Sequence, residues 1–271
     1  MNKLGITATV LLLCTGQGAV AGVPQRIMSL KLCTDQLLMS VLPELGRIAS
    51  VTYLSREAAA LKIWPQAARI PVNHNSVEEV LSVRPDLILT DSFTPAPMRA
   101  LLAKSGARLV EVPEAQDFEG IRANTMLVAR EVGADASGLL AQMDASLAAL
   151  KASRPPAALR VAGWGNGGFL PGQDTFFNTV LTAAGAVNVA GHDGGYYDVE
   201  ALIAAHPQAL LYGDAYAGTP SLRLDQDTHP VLLKLYGNRR VTYPSAFFNC
   251  PLPQSADAAL ALQRALARVA P

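Results

Sequence analysis

The chain is poor in the residues that announce most chemistry. Among its 271 residues there are three cysteines, four histidines and two tryptophans, and only 16% are charged. A bare zinc or manganese ion needs three or four converging ligands. His206 ends a surface helix and His229 precedes Pro230, so only His74 and His192 remain, too few without help from Asp193 or Asp214. No G-x-S-x-G elbow and no Cys–His or Ser–His–Asp set is present, which speaks against a hydrolase. The formal net charge is zero and no basic run occurs, which excludes nucleic acid and anionic lipid as natural partners. The early apolar run, Leu4 to Leu13, is shorter than the roughly 20 residues that span a bilayer.

That run reads instead as an export signal over residues 1–21. Lys3 is its only charge, and Ala19-Val-Ala21 forms a small-x-small cleavage site before Gly22. Cys14 follows three leucines, and Leu13 is a poor neighbour for a lipidated cysteine, so no lipid anchor is expected. Removal of the segment takes Lys3 and no acid, leaving 21 basic and 22 acidic residues. Two cysteines stay behind, Cys33 and Cys250. In an oxidising compartment such a pair is compatible with one disulfide.

What the chain does have is a repeat. SVEEVLSVRPDLIL at 76–89 returns as DVEALIAAHPQALL at 198–211, an offset of 122. Each copy has a polar N-cap (Ser76, Asp198), Val-Glu, an apolar pair, and a Pro before an apolar run. This predicts a capped amphipathic helix and then a strand. Gly106–Pro113 is echoed by Gly237–Pro244, and Arg26 and Arg160 each open a strand followed by a helix. A unit of over 100 residues buries its own core. The expected fold is therefore α/β, two similar lobes of parallel sheet flanked by helices, with a ligand cleft between them.

Strands are expected near 26–29, 47–51, 87–90 and 108–112 in an N-terminal lobe of residues 22–134. A C-terminal lobe, 155–271, should hold strands near 159–162, 209–212 and 240–243. Leu139, Leu140, Met143, Leu147 and Leu150 recur at helical spacing before Arg154-Pro-Pro156. The segment 135–154 reads as one long helix bridging the lobes.

Ligand groups in parallel sheets gather at the carboxyl ends of the strands. The loops there hold Tyr53, Trp64, Phe93, Trp164, Phe169, Tyr196, Tyr197, Tyr216, Phe247 and Phe248, ten of the sixteen aromatic residues. Aromatics in loops rather than core elements imply a large ligand with apolar or planar faces. Gly163-Trp-Gly-Asn-Gly-Gly168 matches G-x-G-x-x-G, but no helix starts at once and no acid follows about 20 residues on, so a dinucleotide site is rejected. Glu78 and Glu200 stand in matching first turns, where acids also favour the helix dipole. Glu79 takes the capping-box position behind Ser76, which leaves Glu78 free to point outward.

These segments carry a resemblance. RIMSLKLCTDQLLMSV, SVEEVLSVRPDLILT and GAVNVAGHDGGYYDVEALIAAHPQALLYG look like the periplasmic iron-siderophore and cobalamin binding proteins of ABC importers, over nearly all of the chain after residue 21. The resemblance implies a monomeric two-lobed protein that hands a metal chelate to a permease dimer, with no cofactor of its own. It also implies transporter docking through one glutamate per lobe, here Glu78 and Glu200. A trianionic catecholate complex would want more cleft cations than Lys31, Arg56 and Arg69. A corrinoid, a haem or a neutral hydroxamate complex suits the aromatic loops better, with His74 or His192 near the metal centre, or Tyr196, Tyr197 or Tyr216 as a ligand to ferric iron. Cys33 and Cys250 then fall one per lobe, where a disulfide would clamp the mouth. The alternatives are a zinc or manganese transport protein, or an exported two-lobed enzyme.

Overall fold

The protein is described by a computed structural model covering residues 22–164, 167–214 and 224–269. The proposed export signal, residues 1–21, lies outside the described residues. The N-terminal lobe holds strands β1 (Ile27–Ser29), β2 (Ile48–Thr52), β3 (Val72–Asn73), β4 (Leu87–Asp91) and β5 (Arg108–Val112). All pair in parallel, in the order β3-β2-β1-β4-β5. The C-terminal lobe pairs β11 (Arg240–Tyr243), β10 (Ala209–Gly213), β6 (Leu159–Gly163) and β8 (Ala186–Asn188) in that order, again in parallel. Equating β6 with β1, β8 with β2, β10 with β4 and β11 with β5 makes the two orders the same apart from β3, which has no counterpart among the described residues.

The repeat extends to hydrogen bonds. Helix α3 (Val77–Val83) is closed by a complete Ser76–Glu79 capping box, and helix α8 (Val199–Ala204) by Asp198 accepting from the Ala201 N–H. At their far ends Arg84 and His206 both turn left-handed, with φ of 48° and 49°. Arg26 then donates to the carbonyls of Val83 and Arg84, as Arg160 does to those of Ala205 and His206. Each arginine thus satisfies carbonyls that a helix end leaves without partners. Asp86 accepts from the Arg26 N–H and Gln208 from the Arg160 N–H, so the strand entry is copied as well.

Each sheet is covered on both faces. In the first lobe, Ile27, Leu87 and Leu89 pack toward helices α1 (Leu32–Val41) and α5 (Phe118–Val132). Met28 and Ile88 face the opposite way, toward α3 and α4 (Ala96–Leu102). In the second lobe Val161, Ala209 and Leu211 join the core of α7 (Phe176–Ala183) and α11 (Ser255–Val269), while Ala162 and Leu210 join that of α8 and α9 (Pro230–Tyr236). Such two-sided burial explains why the strands read as continuous apolar runs.

The connection between lobes is a helix pair. Helix α6 (Ser137–Ala152) lays Leu139 on the N-terminal core, then Leu140, Met143, Leu147 and Leu150 in or on the C-terminal core. Helix α5 crosses in the other direction, with Ile121 in the C-terminal core and Val128 and Val132 in the N-terminal one. The expected bridge at 135–154 is half of the connection; α5, which falls inside the expected N-terminal lobe of residues 22–134, is the other half.

Four contacts tie the two lobes to each other directly. A disulfide joins Cys33, just after β1, to Cys250, with Cα atoms 5.1 Å apart. Lys62 Nζ of helix α2 (Ala58–Ile63) lies 3.1 Å from Asp214 Oδ2, just after β10. Trp64 meets Phe247 edge-on at 5.7 Å, and Gln254 donates to Ser40 Oγ across 3.1 Å.

Candidate functional site

In the N-terminal sheet the strand order reverses at β1 and β4, and a crevice outside that switch point is the expected ligand position. A cavity of about 620 Å³, solvent mouth included, opens there between the lobes. Thr34, Asp91, Phe93 and Asn124 line it from one side, Phe176 and Asn249 from the other. Phe93 is 66% exposed and Lys31 Nζ sits 3.4 Å from Asp91.

Beside it, after β2 and β3, lies an aromatic shelf. Tyr53 stacks on His74 with ring centroids 5.2 Å apart and planes 18° from parallel. The His74 Nδ1 is 3.1 Å from Glu79 Oε1, and Glu79 Oε2 accepts from the N–H groups of His74 (2.9 Å) and Ser76 (3.1 Å). Burial works against the Glu79 charge, but the His74 and Ser76 donors outweigh it and hold the carboxyl at about 2. Both rings of the shelf are exposed.

The turn carrying Tyr53 is anchored from below by Asp35. Its Oδ2 accepts from the Thr52 N–H (2.9 Å), Thr52 Oγ1 (2.6 Å) and Ser55 Oγ (2.8 Å). Burial pushes the Asp35 carboxyl up to about 6, only partly offset by the hydroxyls of Ser29, Thr52 and Ser55 and by that N–H.

The carboxyl edge of the second sheet contributes another exposed pair. Strands β7 (Phe169–Pro171) and β9 (Gly194–Tyr196) form a small antiparallel ribbon there, and Phe169 meets Tyr196 edge-on at 5.4 Å. Gly168, at φ +88°, permits it: a Cβ would stand 2.4 Å from the Tyr197 carbonyl. Gly168 therefore serves close backbone packing within the ribbon. Tyr197 is half-buried, its hydroxyl accepting from the Gly191 N–H, and Tyr216 lies outside the described residues.

Three expected ligand contacts are corrected. Trp164 is 0% exposed: the β6 pleat runs one residue further, so Trp164 falls on the same face as Ala162, among Leu202, Leu210 and Leu232. Trp64, 5% exposed, ends α2 inside the N-terminal core. Phe248 is 1% exposed and packs against Tyr243 with ring centroids 4.5 Å apart and planes tilted by 50°. Phe247 is half-buried between the two cores. Asp35 and Glu79 are the site residues that sequence reasoning missed as such; the capping-box spacing signalled one role of Glu79, and nothing local signalled Asp35.

Glu78 and Glu200 are both exposed, one on each lobe. Among the described residues no cluster of three His, Cys, Asp or Glu side chains could hold a metal ion, and no helix is long and apolar enough to cross a membrane.

A two-lobed α/β architecture with its cleft at the carboxyl ends of two parallel sheets is that of a ligand-binding protein. The family model described as periplasmic binding protein matches residues 67–230, more than half of the chain, and the chain belongs to that family. Among solved structures, the apo periplasmic heme-binding protein RhuT from Roseiflexus sp. RS-1 superposes with a TM-score of 0.75, at 20% identity over 91% of this chain and 99% of that one. The periplasmic heme-binding protein BhuT in complex with two hemes gives 0.71 at 23% identity, covering 92% and 99%. The periplasmic vitamin B12 binding protein BtuF of Vibrio cholerae gives 0.64 at 15%, covering 91% and 98%. A comparison with curated protein sequences finds no match.

Proposed function

We propose that this protein is the periplasmic substrate-binding component of an ABC importer, exported by residues 1–21 and acting as a monomer without a lipid anchor or cofactor. It captures a metal chelate, releases it unchanged and catalyses no reaction. The observation that carries the ligand class is the exposed imidazole of His74, held at Nδ1 by Glu79 and flanked by Tyr53. A hexadentate ferric siderophore leaves no coordination position for a protein side chain. A haem or corrinoid offers a planar face for Tyr53, Phe93, Phe169 and Tyr196, and an axial position for an imidazole. Haem fits best.

Glu78 and Glu200 are then the contacts to a two-fold permease, because the repeat sets them at matching corners and neither is used in a cap. Charge-assisted pairs across such a surface steer and register the complex. Charge reversal at either is expected to abolish uptake through the cognate importer while ligand binding persists; unchanged uptake would remove the docking role.

Ligand class is tested by tryptophan emission of the processed protein with hemin, cobalamin or a ferric siderophore. Since Trp64 and Trp164 are buried, quenching should arise by energy transfer to the chromophore rather than by contact. Saturable quenching by hemin supports the reading, and no saturable response to any of the three defeats it.

A further inference from the structure

We infer that Glu79 is the positioning residue that turns His74 into a metal ligand, by fixing which ring nitrogen carries the proton. This rests on the haem reading above. Oε2 of Glu79 is committed to two backbone N–H groups, those of His74 and Ser76. Oε1 faces His74 Nδ1 at 3.1 Å. An ionised carboxylate only accepts, so Nδ1 must donate. In the neutral ring the lone pair then sits on Nε2, on the far side from Glu79, and the His74 side chain is 66% exposed. Stacking on Tyr53 limits rotation of the ring. Carboxylate partners of this kind orient metal-bound imidazoles and raise their basicity. The same carboxylate closes the capping box of α3, so the ligand position is built on the N-terminus of the helix that carries Glu78.

The geometry gives a sharp test in Glu79→Gln. Glutamine also completes a capping box, so α3 should persist. Its carbonyl oxygen is drawn to the two backbone N–H groups, which turns its NH₂ toward Nδ1. That amide can only donate there, so the proton must move to Nε2 and the outward lone pair is lost. Nitrogen-15 NMR of ligand-free protein at pH 8, above ordinary imidazole titration, should show His74 protonated on Nδ1 in wild type and on Nε2 in E79Q. Hemin affinity should fall about 10–100-fold, with the absorption spectrum of E79Q matching that of His74→Ala. A wild-type ring protonated on Nε2 overturns the inference. So does an E79Q protein with a switched ring but unchanged hemin affinity and spectrum, an outcome that leaves the chelate reading standing. Failure of wild type to bind hemin removes the haem reading and with it the assignment of His74 as a ligand, whereas the tautomer measurement, which needs no ligand, tests the hold of Glu79 on the ring by itself.

Discussion

Replacing both Cys33 and Cys250 by alanine should cost the protein a large part of its stability while leaving the fold in place. The bond closes a loop with a sequence separation of 217. The chain-entropy relation for a loop of that size gives roughly 5 kcal/mol as an upper limit, and native disulfides of this kind deliver about 2–4. For a domain of about 250 residues each kcal/mol moves Tm by roughly 2 °C. The double variant should therefore melt about 4–8 °C below the oxidised wild type, and dithiothreitol should lower the wild type by a similar amount. Differential scanning calorimetry with and without reductant reads both. Because the bond ties the loop after β1 to the chain after β11, the loss should also widen the range of lobe openings seen by small-angle scattering. Two free thiols titrated in denatured protein from the oxidising compartment, or a double variant within 1 °C of wild type, would rule out a stabilising bond.

Asp35 predicts a pH effect of definite sign. Its carboxyl stands at about 6 against an ordinary 3.8, so the folded state holds the proton more tightly than the unfolded one. Its contribution is fully present below pH 3.8 and is lost as pH rises through about 6. At roughly 1.4 kcal/mol per pKa unit this limits the loss to about 3 kcal/mol. In urea titrations Asp35→Asn should escape that decline; parallel pH profiles for the two proteins would contradict it. Removing the N-caps by Ser76→Ala and Asp198→Ala should cost about 1 kcal/mol each, read from denaturant midpoints; a change under about 0.3 kcal/mol at either would contradict the cap at that helix.

Much of this fold was legible because its signals are local. Ser76 and Asp198 announce helix starts, Arg26 and Arg160 strand starts, and the 122-residue offset pairs them. The left-handed ends at Arg84 and His206 and their arginine caps follow the same repeat. Short elements escaped, since β3, β7, β8 and β9 are two or three residues long and depend on their neighbours. The site was legible by region rather than by side chain. Tyr53, His74, Phe93, Phe169 and Tyr196 are exposed at carboxyl ends of strands, but Trp64, Trp164 and Phe248 are core. Whether a loop aromatic turns in or out depends on pleat register and on the opposite lobe, as Trp164 shows with one extra strand residue. His74 and Glu79 are five positions apart, yet their pairing needs the left-handed Asn75 (φ 66°) to fold one over the other.

The central claim is that a metal chelate sits between the lobes, over the shelf of Tyr53 and His74. Anomalous diffraction from crystals of the hemin complex locates the iron directly. Iron is expected in the cleft, within coordination distance of His74 Nε2 and between the exposed aromatics of the two lobes. Iron found only outside the cleft, or no ordered iron under saturating hemin, would contradict it.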